Sequence, residues 1–319
     1  MDELTKSPSK KMRAIIRCLR PHQWYKNGVI LLGIFFGGKI LDYHLYLELL
    51  VGFITLGFVS SLNYLFNDLI DYRKDQSHPE KKTRPIAAGN IKIGSAVGIA
   101  IILIILIGLG NWGIYLLSSK EITINFSAIS LLIIIHGLFY TLLFKHYAII
   151  DVLTLSLFYI WRTLAGIFIA DVVFSPWLYL IVFLSALLLA VNKRKADLLF
   201  LGKEKAILHK PIYSKYSTTL LTQVSTIAAV GLFMTYAFYC ILGPLSEFTG
   251  PELQNNQYFI LCSIPIALYI VLRYLYIVET KLEVARKAEK ALFDVGIITG
   301  GIILVIVIYI ANYVPLPFW

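Results

Sequence analysis

The sequence predicts an all-α, polytopic membrane protein of about nine transmembrane helices in a bundle. Three observations carry this. Of 319 residues, 58% are hydrophobic and 15% charged, and the mean hydropathy is +0.75, a membrane-protein composition. Apolar stretches near 20 residues recur along the whole length, as crossing a ~30 Å hydrocarbon core requires. Lys and Arg gather in alternate connections, the pattern of loops retained in the cytoplasm. The alternation of a transmembrane β-barrel is missing.

Taken in order, residues 1–20 form a basic segment with Lys6, Lys10, Lys11, Arg13, Arg17 and Arg20. No small-residue cleavage site follows the first apolar stretch, so no removable signal peptide is expected. Span 24–41 opens on Trp24, Tyr25 and Lys26, two aromatics suited to the interface and a base that can snorkel. Span 45–66 ends in an acidic cluster, and a polar loop, 67–92, is closed by Arg84-Pro85 and Gly89. Spans 93–117, 126–144 and 148–170 follow, the last holding Arg162 well inside it. Ser175-Pro176 reads as an N-cap and N1 proline opening span 176–192, with Asp171 in the preceding outer loop. A Lys-rich loop occupies 193–216, and spans 217–243, 257–278 and 291–313 complete the set. The whole of 1–319 reads as one domain.

Bases lie before span 1 and between spans 2 and 3, 4 and 5, 6 and 7, and 8 and 9, while the opposite side carries only Lys39 and Lys120. Loop 244–256, with Glu247 and Glu252 and no base, fits an outer face. The expected topology therefore has the N-terminus inside and, after nine spans, the C-terminus outside. The net charge of +10 is read as topology, attraction to lipid headgroups and phosphate binding, with no nucleic-acid partner. Cys18, Cys240 and Cys262 are scattered free thiols. The six histidines show no zinc spacing, and no phosphate loop of the GxxxxGK[ST] type is present.

The chemistry concentrates at the end of span 2. Asp68, Asp71 and Asp75 stand at i, i+3 and i+7, so on a helix they share one face, with Asn63 and Asn67 beside them. Such a row of carboxylates repels itself without a cation. Mg²⁺ takes oxygen ligands, usually one or two carboxylates together with substrate phosphates. The loop beyond supplies His78, Lys81, Lys82 and Arg84, and Arg and Lys grip phosphate. Charge inside span 5 is costly, so Arg162, three turns from Asp151 on the same face, is either half of a structural Arg–Asp pair or an anion-binding group in a central cavity. Asn192-Lys193-Arg194-Lys195-Ala-Asp197, one acid among three bases, reads as a phosphate site.

Asn67-Asp68-x-x-Asp71-x-x-x-Asp75 with Tyr140-x-x-x-x-Lys145 resembles the UbiA superfamily of intramembrane prenyltransferases. Five further blocks are similar to its decaprenyl-phosphate phosphoribosyltransferase branch: Arg20-Pro21-x-Gln23-Trp24-x-Lys26-Asn27, Asp75-x-x-His78-Pro79-x-Lys81-x-x-Arg84-Pro85-Ile-Ala-Ala-Gly89, Asp151-Val152, Arg162-x-x-Ala165-Gly166, and Lys193-Arg194-x-x-Asp197. The resemblance implies a nine-helix bundle around a cytoplasm-facing cavity that binds a diphosphate through Mg²⁺. It implies transfer of 5-phosphoribose from phosphoribosyl pyrophosphate to a polyprenyl phosphate. Asn67, Asp68, Asp71 and Asp75 would hold the metal, with the three aspartates catalytic. Lys26, Asn63, Lys81, Arg84, Tyr140, Lys145, Arg162, Lys193, Arg194 and Asp197 would bind substrate. The chain has only Asp197 where general prenyltransferases carry a second aspartate-rich motif.

Two other functions compete. An isoprenoid diphosphate could be joined to an aromatic or glycerol-type acceptor, although such an acceptor leaves the bases at 193–195 without a role. A lipid-phosphate transporter would be expected to show paired repeats and broken midplane helices, and neither is visible.

Overall fold

The computed structural model describes residues 8–78, 80–242, 259–286 and 288–314. Lys6, Pro79, and the expected outer loop with Glu247 and Glu252 lie outside the described residues.

The described chain is helical, with no strand: α1 Pro8–Leu19, α2 Leu32–Phe36, α3 Leu45–Gln76, α4 Ile93–Leu117, α5 Lys120–Leu142, α6 Ile150–Ala170, α7 Pro176–Leu201, α8 Lys203–His209, α9 Thr218–Leu242, α10 Ser263–Thr280, α11 Leu282–Ala285, α12 Ala288–Leu292 and α13 Val295–Tyr313. Among the described residues seven helices are long and apolar enough to cross a membrane, and Val295–Ala311 is a shorter apolar helix. The chain is an integral membrane protein. A helix satisfies its own backbone hydrogen bonds, which a hydrocarbon solvent demands.

Three differences from the expected spans bear on the site. The span expected at 24–41 is a 3₁₀ segment, Pro21–Leu31, running into the short α2. Its glycines permit backbone contact that a continuous side-chain-bearing helix would prevent. An added Cβ at Gly33 would lie 3.0 Å from the Gly166 carbonyl carbon, and one at Gly166 only 1.9 Å from the Ile30 oxygen. Gly166→Ala is therefore expected to destabilise the protein by about 1–3 kcal/mol, read as a lower melting temperature in detergent.

The second difference is α3, which continues to Gln76 instead of stopping at 66. Its 32 residues make roughly 48 Å at 1.5 Å per residue, more than a bilayer core, so its last turns carry the aspartates beyond the apolar run. The third is α7, which continues to Leu201 and carries Lys193, Arg194 and Asp197 on a helix, not in a loop. The expected start of α7 stands: Ser175 Oγ accepts from the Leu178 N–H at 3.5 Å and Pro176 opens the helix.

The contacts group the chain into two compact units. The first comprises Met1–Tyr147 and Phe158–Val172. Its core runs along α3 through Leu49, Leu56, Val59, Leu62 and Leu65. α4 lays Ala96, Ala100, Leu103 and Ile107 against this core and leaves Ile101, Ile102, Ile104 and Ile105 exposed, the division expected of a lipid-facing helix. Gly110 sits where a Cβ would meet Thr55 Oγ1 at 2.1 Å, the close approach that small residues give membrane helices. The second unit comprises Ala148–Leu157 and Val173–Trp319. Its core includes Leu187, Leu188 and Val191 of α7 with Leu221, Ala228 and Ala229 of α9.

Candidate functional site

In the first unit the end of α3 presents Asp68, Asp71 and Asp75 on one face, and each is met by a base. Arg20 Nη2 donates to both Asp68 oxygens at 2.7 and 2.9 Å. Arg84 Nη1 bridges Asp68 Oδ1 at 2.9 Å and Asp75 Oδ2 at 2.7 Å. Lys145 Nζ reaches Asp71 Oδ1 at 2.8 Å and Oδ2 at 2.6 Å. Asp68 and Asp75 are buried at 2% and 3% exposure, whereas the Asp71 side chain is 19% exposed. Arg84 and Lys145 are thus brought together with the aspartates.

Sequence reasoning left Arg20 out of the site. The Arg20-Pro21 pair opening the 3₁₀ segment was the available signal. Arg20 takes a left-handed backbone, φ 49°, which turns the chain between α1 and that segment. Its guanidinium also lies 4.9 Å from the Tyr64 ring.

The loop after α3 is organised by His78, whose Nδ1 accepts from the Glu80 and Lys81 N–H groups, both at 3.1 Å. This starts the short 3₁₀ turn Lys81–Thr83, and Arg84 leaves it in extended conformation. Arg17 Nη2 donates to the Thr83 carbonyl oxygen at 3.4 Å, tying the loop to α1. Gly89 adopts φ 68°, which favours glycine at that turn. Burial first, and Arg84 next, hold the Lys81 amine below its ordinary value, opposed by Asp75 and Asp71.

No group of three His, Cys, Asp or Glu side chains among the described residues converges on a metal position. The donor set nevertheless suits Mg²⁺ brought in with a diphosphate: hard carboxylate oxygens on one helix face, of which such an ion needs only one or two. It does not suit a cage built by protein alone, because Arg20, Arg84 and Lys145 occupy the same oxygens.

Other expected residues take up varied positions. Asn67 is half-buried. Asn63 Nδ2 donates to the Ile133 carbonyl oxygen at 3.0 Å, and its Oδ1 is buried without a partner. Tyr140 packs edge-on to Phe158 at 6.2 Å. Lys26 Nζ donates to Gln23 Oε1 at 3.3 Å. Arg162 is buried among Asn27, Ser60 and the Phe158 carbonyl.

Asp151 and Arg162, expected on one face, do not pair. Asp151 belongs to the second unit, where Arg194 Nε meets it at 3.1 Å and the Tyr216 hydroxyl donates to its other oxygen. The Tyr216 hydroxyl also accepts from the Ile149 N–H at 2.8 Å.

Arg194 and Asp197, expected in a phosphate site, are both engaged inside the second unit. Because α7 continues, Arg194, Lys195 and Asp197 are buried at 3%, 5% and 4% exposure and must find partners inside the unit. Asp197 accepts from the Tyr213 hydroxyl at 2.6 Å and Arg286 Nε at 2.9 Å. Lys195 pairs with Glu279. Lys193 stays exposed. Burial pushes the Tyr213 and Tyr216 phenols upward, and their hydrogen bonds to Asp197 and Asp151 add to it, so both remain protonated donors.

The UbiA prenyltransferase family model matches residues 28–293. A Corynebacterium glutamicum protein named decaprenyl-phosphate phosphoribosyltransferase is 31% identical over 260 residues, 80% of this chain and 76% of its own length. A Mycobacterium tuberculosis protein (strain H37Rv) of the same name is 28% identical over 242 residues, 75% of this chain and 77% of its own. Among solved structures, a UbiA homolog from Archaeoglobus fulgidus bound to GPP and Mg²⁺ superposes with a TM-score of 0.62 at 19% identity, covering 93% of this chain and 98% of that one. A digeranylgeranylglyceryl phosphate synthase gives 0.60 at 19% identity, covering 96% and 99%. At that identity the likeness establishes the fold.

Proposed function

The chain belongs to the UbiA prenyltransferase family, and we propose that it transfers the 5-phosphoribosyl group of phosphoribosyl pyrophosphate to a polyprenyl phosphate, releasing pyrophosphate. The observation that carries this reading is the likeness, across most of both chains, to proteins named decaprenyl-phosphate phosphoribosyltransferase. The site supports it through charge. Around three carboxylates stand Arg20, Arg84 and Lys145 in contact and Lys81 nearby, a surplus of bases suited to a donor bearing three phosphates.

In this reading Asp71, with Asp68, Asp75 and Asn67, would hold Mg²⁺. When bound, the ion neutralises the charge that builds on the leaving group. Arg84 and Lys145 turn from the carboxylates toward phosphate oxygens and Lys81 joins them, Arg as a planar fork and Lys as a point charge. The bond from the anomeric carbon to the pyrophosphate oxygen breaks, and its electron pair leaves with pyrophosphate. A lipid phosphate oxygen forms the new bond. The attacking group is already an anion, so positioning and electrostatics suffice and no strong general base is needed. Because the donor is soluble, the acidic end of α3 is assigned to the cytoplasmic side.

The test is mass spectrometry of lipids from membranes holding the protein, polyprenyl phosphate, Mg²⁺ and either phosphoribosyl pyrophosphate or an allylic diphosphate. A phosphoribosylated lipid only with the first donor, lost with chelator and restored by Mg²⁺, is expected. A prenylated product with the second donor would overturn the reading in favour of the general prenyltransferase reaction.

A further inference from the structure

The apolar interior of the first unit holds a second polar centre that the acidic face does not use. Arg162, midway along α6, is 7% exposed. Its Nε donates to Asn27 Oδ1 at 2.7 Å, Nη1 to the Phe158 carbonyl oxygen at 2.9 Å and Nη2 to Ser60 Oγ at 3.3 Å. None of these is an anion, and no ion pair to Arg162 is present among the described residues. A buried cation without a counter-charge is costly and marks a place where an anion is received.

Two more buried donors stand beside it unsatisfied. Asn27, fully buried, accepts with Oδ1 from Arg162 and from Ser60 at 3.4 Å, and its Nδ2 has no partner. Trp161 Nε1 donates to His136 Nδ1 at 3.1 Å, which places the proton of the neutral imidazole on Nε2, also buried and unpartnered. Phe158 links the two sides: His136 stacks on its ring at 4.3 Å, and the Arg162 guanidinium carbon is 5.7 Å from the same ring.

We propose that Arg162, Asn27 and His136 form the receptor for the phosphate headgroup of the lipid substrate. The proposal rests on the transfer reading above. Ser60, which Arg162 touches, precedes Asp68 by eight residues of α3, roughly 12 Å deeper along the helix. An anion stationed there among Phe158, Trp161 and Tyr159 is one carried by a hydrocarbon chain, whereas the soluble donor meets the acidic end. Displacement at an anomeric carbon sets the attacking oxygen opposite the leaving group, and the two centres along α3 supply opposite ends. Asn63 stands between them on α3, and its unpartnered Oδ1 is an acceptor for a sugar hydroxyl.

Equilibrium binding to the protein in phosphatidylcholine nanodiscs tests this, with polyprenyl phosphate, the matching polyprenol, inorganic phosphate and phosphoribosyl pyrophosphate as separate probes. Arg162→Gln is expected to weaken polyprenyl phosphate binding on the order of 10- to 100-fold and to leave polyprenol and phosphoribosyl pyrophosphate unchanged. Arg162→Lys should recover part of the loss. His136→Phe, which keeps the stack but removes the donor, should weaken the same arm several-fold and carries the test if Arg162→Gln does not fold. Unchanged affinity for polyprenyl phosphate in a folded variant overturns the proposal, as does an equal loss for inorganic phosphate. Failure of wild type to bind phosphoribosyl pyrophosphate would overturn the transfer reading alone, since the lipid arm needs no donor.

Discussion

Asp71→Asn is expected to lower phosphoribosyl transfer by about 10²–10³-fold, the scale of losing one electrostatic group at a reacting centre, with the melting temperature close to that of the parent. Of the three aspartates Asp71 is the most open, at 19% side-chain exposure, and among the described residues its ion pair is with Lys145. Its charge can be removed without stranding a buried partner. Asp68 differs: it is buried and held by Arg20 and Arg84 together. Asp68→Asn should lose activity and stability at once, because two guanidinium groups lose their shared carboxylate. Turnover and thermal unfolding measured on both variants separate the cases. Parent-like turnover by Asp71→Asn would remove the aspartate face from the chemistry.

Arg194→Ala is expected to destabilise the second unit by about 3–5 kcal/mol, because it leaves Asp151 charged, buried and without its cation. Measured as the denaturation midpoint, the loss should be partly reversed in the double variant Asp151→Asn with Arg194→Ala, where no buried charge is orphaned, and the cycle isolates the coupling. The two single changes should therefore be strongly non-additive. A folded Arg194→Ala protein that has lost only substrate affinity would instead return Arg194 to the phosphate-binding role its sequence suggests.

These cases show why the site was only partly legible in the sequence. The spacing of Asp68, Asp71 and Asp75 gives a shared face from helix geometry alone, and the structure keeps it. Arg84 lies close along the chain and was expected at the aspartates. Arg20 was not, since 48 residues separate it from Asp68 and nothing in its own neighbourhood names its partner. The partner of Arg194 was not legible, because three bases after an apolar run look like a cytoplasmic loop. One further stretch of α7 puts them on a helix whose inner side needs internal counter-charges.

What the sequence determined by itself was the solvent this protein lives in, its helical class and the face on which the aspartates gather. Those depend on hydropathy and on 3.6-residue periodicity, which are local, and in lipid each helix must close its own backbone hydrogen bonds. Only the tertiary structure decided which base meets which acid, that residues 24–41 give up a continuous helix for backbone contact at Gly33 and Gly166, and that Arg162 is buried beside donors that lack acceptors. Those outcomes follow from packing between segments far apart in the chain, where burial makes each unpaired charge costly enough to select its partner.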